Sequence, residues 1–177
     1  MSRVFFISDL HLGHKNIVKF GKAPGGKARG NVNTVEEHDH WVIQQMMSVN
    51  PVKRDLWYIL GDVAMDGSKL EMIGRVPGRK ILILGNHDNE PTADYLEVFG
   101  VARGPMKAYG MWLSHIPLPE EDLFGFPNIH GHQHYNPQAG NSNYFNACIE
   151  WLPGQRPVSL DWLRANWRPA IAERSGP

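Results

Sequence analysis

An α/β fold is what this sequence predicts, and three observations carry it. Short apolar runs without polar alternation recur at Val4–Ile7, 56–60 and 81–84, as expected of strands covered on both faces. Helix-spaced stretches separate them, the βαβ rhythm of a largely parallel sheet. Each run stops at a polar cluster: Ser8-Asp9-Leu10-His11 after the first, Gly61-Asp62 after the second, Gly85-Asn86-His87-Asp88 after the third.

The elements follow in order. Val4-Phe5-Phe6-Ile7 is the first strand. Residues 22–33 combine glycines with Pro24 and the cations Lys22, Lys27 and Arg29, which reads as a solvated basic loop. Thr34 and Glu37 have the spacing of a capping box, so a helix is expected from there to about Val49, where Pro51 disfavours continuation. Residues 56–60 and 81–84 are the second and third strands, with a short helical stretch at 68–74 between them. Beyond residue 97 the segments 100–103, 106–109, 111–114 and 128–130 leave no room for long helices. Further strands joined by tight turns are expected there, with one more at 143–149. Ser159, or nearby Pro157, opens a terminal helix.

The bulk properties bound the function. At 177 residues the chain is sized for a single domain, 1–177, with a core that needs no disulfide. Eighteen Lys and Arg balance eighteen Asp and Glu, so the basic excess of a surface devoted to nucleic-acid backbone is missing, and nucleic-acid binding has no strong support. The single Cys148 excludes an internal disulfide and a cysteine-cluster metal site, and reads as a core residue. Val4–Ile7 is too short for a signal-peptide core, and no window approaches the ~18 apolar residues of a membrane span. A cytoplasmic protein with no membrane partner is expected.

In an open α/β sheet, ligands bind where the loops converge at the carboxyl ends of the strands. That rule gathers Asp9 and His11, Asp62, Asn86 and His87, His115 after "MWLS", and the histidines of "HGHQH" at 130, 132 and 134. Period-two spacing sets His11 beside Asp9 and His132 beside His134. An oxygen and nitrogen set without thiolate suits borderline divalent ions. Two aspartates, one asparagine and four histidines are too many ligands for one ion, but suit two ions sharing a carboxylate.

The ordered series Asp9-x-His11, Gly61-Asp62, Gly85-Asn86-His87-Asp88, Ser114-His115 and Gly131-His132-x-His134 resembles the calcineurin-like metallophosphoesterases. The tail "NACIEWLPGQRPVSLDWL" is similar to the small single-domain bacterial and phage-type members. The resemblance implies a four-layer αββα sandwich, two mixed sheets flanked by helices, with a dinuclear site at one rim. It implies Asp9, His11, Asp62 and His134 on one metal and Asp62, Asn86, His115 and His132 on the other, with Asp62 as the bridge. It also implies that His87 stabilises the phosphoryl group or acts as general acid. The protein-phosphatase branch carries an acid three residues after the bridging aspartate and an arginine before Gly-Asn-His; Met65 and Leu84 stand there in this chain. That departure, with intervals too short for a cap domain, points away from phosphoproteins towards small esters at an open site.

The remaining polar residues have competing readings. His14 either meets substrate phosphate or begins the helix "HKNIVKF", and Arg29 either closes over an anionic substrate or sits in a solvated loop. Asp88 either orients His87 or bonds the turn backbone. His130 reads as a supporting core histidine, and His38 and His40 as ordinary helix residues. The expected activity is metal-dependent phosphoester hydrolysis with two divalent ions, manganese first and iron, nickel, cobalt or zinc as alternatives. The expected partner is a small phosphate ester, with a nucleotide-type phosphodiester ahead of a phosphomonoester. A metal-binding scaffold without turnover is the reading from another class.

Overall fold

The computed structural model describes residues 2–21, 26–135 and 141–173; Lys22 and Pro24 of the expected basic loop lie outside them. The strands are β1 (Val4–Ile7), β2 (Leu56–Ile59), β3 (Arg79–Ile83), β4 (Val101–Arg103), β5 (Met106–Ala108), β6 (Met111–Leu113), β7 (Asn128–His130), β8 (Tyr144–Asn146) and β9 (Val158–Ser159). The helices are α1 (Ile17–Phe20), α2 (Val35–Met47), α3 (Leu70–Gly74), α4 (Thr92–Val98), α5 (Leu160–Asn166) and α6 (Ala170–Glu173).

Two mixed sheets organise the chain. The first has the order β4-β3-β2-β1-β9, parallel from β1 to β4 with β9 antiparallel at the edge. The second has the order β5-β6-β7-β8, in which only β5 and β6 pair antiparallel. This is the two-sheet α/β arrangement that the sequence predicts, with one correction. Within the second sheet only β5 and β6 are joined by a tight turn, through Tyr109 and Gly110, both at positive φ. The strands β6, β7 and β8 run parallel, which a hairpin cannot achieve, so the chain returns between them through longer connections.

Both sheets contribute to one apolar core. Phe6 and Ile7 of β1, Ile59 of β2 and Leu82 of β3 are fully buried, as are Leu113 of β6 and Ile129 of β7. Burial of each such side chain is worth about 1.5–3 kcal/mol, and here it anchors the polar residues that follow each strand.

Local signals account for most boundaries. Thr34 caps α2, its hydroxyl accepting from the Glu37 N–H at 3.1 Å, while Glu37 reaches back to the Asn33 N–H at 2.7 Å, one residue earlier than a capping box requires. The helix stops two residues short of Val49, and Asn50 turns the chain at φ 50°. Ser159 caps α5 through the Trp162 N–H. The helical stretch expected at 68–74 forms as a 3₁₀ turn, Gly67–Lys69, followed by α3. α4 goes unpredicted, being a two-turn helix opened by Pro91 without a side-chain cap. Among the described residues, no helix is long and apolar enough to cross a membrane.

Asp55 ties the start of β2 to the start of β1. It accepts from the Arg3 N–H at 3.0 Å, the Val52 N–H at 2.9 Å and the Arg3 guanidinium at 2.6 Å. Burial alone would raise its carboxyl, but these donors and the Arg3 charge hold it at about 2. The depressed folded value contributes stability that is present above the unfolded value, near 3.8, and is lost as pH falls through about 2. Asp55→Asn is therefore expected to lower unfolding free energy by about 2 kcal/mol at pH 7. The difference should shrink in urea titrations below pH 4; a constant difference down to pH 2.5 would contradict the assignment.

Candidate metal centre

The polar clusters meet because the strand ends meet. Asp9 follows β1, and its N–H donates to Gly61 O at 3.0 Å; His11 N–H donates to Asp62 O at 2.9 Å, locking the two loops together. His87 N–H donates to Asp62 Oδ1 at 2.9 Å, bringing in the loop after β3. His132 N–H donates to Asp9 Oδ2 at 2.9 Å, bringing in the loop after β7 from the second sheet.

These bends carry a backbone cost. Asp9 (φ 59°), His11 (φ 49°), Asp62 (φ 53°) and His132 (φ 68°) all occupy the left-handed region. A non-glycine residue held there costs about 1–3 kcal/mol, which the surrounding structure must sustain. Two glycines are required by close approach. A Cβ on Gly85 would stand 2.2 Å from Asp62 Oδ1, and one on Gly131 would stand 2.3 Å from Asp9 Oδ2. The glycines in "GNH" and "HGH" thus let backbone pass directly over the two carboxylates.

Of three groups of donor atoms among the described residues, one joins His134 to Cys148 and Glu150, and two hold the expected ligands, Asp9 with His11 and His134, and Asp62 with His115 and His132. Within each group the donor atoms lie within 4.8 Å of one another. His11 Nε2 stands between the latter two, 3.6 Å from Asp9 Oδ1 and 3.7 Å from Asp62 Oδ2. Asn86 joins the Asp62 group, its Oδ1 2.9 Å from His115 Nε2.

The donor chemistry fits cations. Asp9 Oδ1 is buried and lacks a hydrogen bond, although His134 Nε2 lies 3.1 Å away. His115 Nδ1 donates to Leu60 O at 2.7 Å, which turns its Nε2 lone pair towards the Asn86 oxygen, an acceptor facing an acceptor. His11 Nε2 stands 3.1 Å from His134 Nε2, so two ring nitrogens converge on one point. A shared positive ion resolves each of these pairings.

The electrostatics point the same way. Burial alone would raise the Asp9 carboxyl, but the neighbouring His11 and His134 imidazoles hold it well below the usual carboxylate range. Burial opposes the charge on Asp62 too, and His115 outweighs it. His134 rises to about 9 despite burial, because Asp9 and Glu150 both face it.

His87 is exposed, with its ring 5.8 Å from that of His11. His14 also stands 5.8 Å from His11, while its Nδ1 accepts from the Asn16 N–H, so it borders the site and caps a turn at once. Asp88 is bound to backbone: it accepts from the N–H groups of Asp62, Val63 and Gly85 and clamps two metal-facing loops. His130 is fully buried behind the site, its Nδ1 on Gly131 O.

Arg29 is not solvated. It is buried, 2.9 Å from the Glu150 carboxylate, with further contacts to Leu10 O and His38 Nε2. His38, remote from the motifs in sequence, is consequently part of the support behind the site, whereas His40 is exposed on its helix. Glu150, which no motif marks, is buried and binds His134 Nδ1. Its one signal in the sequence is a lone acid inside the apolar stretch "ACIEW". Cys148 is buried as expected but not apolar in its contacts, with Sγ 3.1 Å from Asp9 Oδ2.

The calcineurin-like phosphoesterase family model matches residues 2–174. The chain belongs to that family. Membership supports a metal-dependent phosphoesterase as its coarse activity. An uncharacterized protein of Methanocaldococcus jannaschii is 30% identical over 177 residues, covering 92% of this chain and 90% of that one. The Gene 66 protein of Mycobacterium phage L5 is 41% identical over 93 residues, which span 50% of this chain and 41% of the phage protein. A solved protein of unknown function from Aquifex aeolicus shares the fold of this calcineurin-like chain, with a TM-score of 0.71 at 24% identity over 93% of this chain and 99% of that one.

Proposed function

We propose that the chain is a single-domain, dinuclear metal-dependent phosphoesterase, with phosphodiesters of nucleotide type as its preferred substrates. The observation that carries the reading is the pair of donor clusters meeting at His11 between Asp9 and Asp62, with a buried Asp9 oxygen that no proton donor satisfies. Asp9, His11, Asp62 and His134 would hold one ion and Asp62, Asn86, His115 and His132 the other, with manganese the first choice of metal. Bound divalent ions would activate water near neutral pH and polarise the phosphoryl oxygens.

The chain's own residues do the rest. Asp62, fixed by the His87 N–H, is oriented to face both clusters. Leu60 O holds the His115 ring in one tautomer, and Glu150 does the same for His134. His87 is exposed beside the cluster with no shared role in the core, so its ring is free to approach the leaving oxygen and deliver a proton. No protein nucleophile is needed.

The test uses bis(p-nitrophenyl) phosphate and p-nitrophenyl phosphate on chelator-stripped protein with and without manganese. Turnover that appears only with metal, and faster on the diester, is expected. Faster turnover on the monoester would make the protein a phosphomonoesterase, and silence on both across several metals would leave a metal-binding scaffold. The acid role of His87 has a separate signature. His87→Ala should slow esters with alkoxide leaving groups by about 10²-fold but p-nitrophenolate esters far less; equal losses would remove the role.

A further inference from the structure

We infer that the cavity beside the candidate metal centre is a subsite for a nucleobase carried by the phosphate ester, an inference that rests on the phosphoesterase reading above. The cavity is lined by the ring-bearing polar residues His11, His14, His87 and His134 and by the apolar or aromatic Ile17, Phe20 and Tyr135. Lys27, Arg29 and Glu150 also line it, so groups suited to phosphate and its counter-ions share one cavity with exposed aromatic rings.

Phe20 is 45% exposed and Tyr135 is 50% exposed. Neither completes the core, and each holds a ring beside a polar rim where water would otherwise be displaced for no gain. They are positioned rather than incidental. The His14 ring packs edge-on against Phe20 at 5.3 Å, Tyr135 Oη donates to Phe20 O at 3.4 Å, and the Tyr135 ring stands 6.4 Å from that of His134. The aromatic pair is therefore tied to His14 at one end and to the candidate ligand His134 at the other.

Aromatic faces left half-open to water beside phosphate-handling groups match a planar π-system, for which stacking supplies the binding energy. An inorganic phosphate would instead call for a wall of donors and cations. The cations nearby are already engaged: Arg29 faces Glu150, and the Lys27 ammonium lies 4.6 Å over the Trp151 ring. With no net charge on the chain as a whole, recognition of a single nucleotide unit fits better than recognition of a long polyanion.

Two esters that differ only in the base test this: thymidine 5′-(p-nitrophenyl phosphate) and the same 1,2-dideoxyribose ester without the base. Manganese-loaded protein should show kcat/KM about tenfold higher on the thymidine ester, the scale of one stacking contact. Phe20→Leu and Tyr135→Ser should collapse that ratio towards one, and Phe20→Trp should keep it. Calorimetric titration with the matching non-hydrolysable phosphonates, with and without the base, should show the same preference as a binding constant. A ratio near one in wild type, or a ratio that survives in Phe20→Leu and Tyr135→Ser, would overturn the subsite whether or not the esters turn over. Absence of turnover with a base-dependent binding preference would overturn the phosphoesterase reading and leave the subsite standing.

Discussion

Asp62→Asn is expected to abolish manganese-dependent turnover, by about 10³-fold or more, while leaving the metal-free protein folded. The asparagine keeps the oxygen that accepts from the His87 N–H at 2.9 Å, so the loop after β3 keeps its anchor. What is lost is the charge facing both His115 Nε2 at 3.4 Å and His11 Nε2 at 3.7 Å. Lewis-acid assistance from a metal is worth several kcal/mol, and each 1.36 kcal/mol is tenfold in rate, which sets the scale of the loss. A second readout is independent of turnover. A ligand at a hundred times its dissociation constant stabilises the native state by about 2.7 kcal/mol, so wild type should show a manganese-dependent rise in Tm that the variant lacks. A variant with the wild-type rise would refute Asp62 as a shared ligand, whatever its activity.

The fold class was legible because it rests on patterns that sequence displays directly. Unbroken apolar runs at β1, β2 and β3 can only be satisfied by burial on both faces, and the polar residues after them then have to share a rim. The strand direction in the second sheet was not legible. Three-residue strands such as β6 and β7 carry no parallel or antiparallel signature, and their pairing is set by connections whose course depends on tertiary packing. At the site, residues in short motifs, such as Asp9 and His11 or Asn86 and His87, announce themselves by spacing. The supporting groups do not. Glu150 and His38 come from segments far from the motifs, and they meet Arg29 only once the chain has folded. A solvated basic loop was the natural reading of Arg29 among glycines; what it misses is a buried carboxylate more than a hundred residues away, which draws the guanidinium inward.

Glu150→Ala is expected to be the most destabilising single change at the site, because a buried guanidinium and a half-buried imidazole both depend on that one carboxylate. One oxygen binds His134 Nδ1, and the other stands 2.9 Å from the Arg29 guanidinium, off the direction of a hydrogen bond and held by charge. Burial would raise the Glu150 carboxyl, but Arg29 and His134 together keep it low, so it is an anion in the folded protein at neutral pH. Truncation leaves Arg29, only 7% exposed, as a buried cation without an anionic partner. Breaking a buried pair in this way costs about 3–5 kcal/mol, readable as a lower urea midpoint. It also frees the His134 ring, and loss of such a supporting partner typically lowers metal affinity by about 10–100-fold. The two effects separate. Arg29→Met combined with Glu150→Gln removes both charges and retains an amide oxygen for His134, so it should recover most of the stability and part of the manganese affinity measured by calorimetry. If the double variant is no more stable than Glu150→Ala, the loss does not come from an unpaired charge. If Glu150→Ala binds manganese as wild type does, the carboxylate supports the fold but does not orient His134.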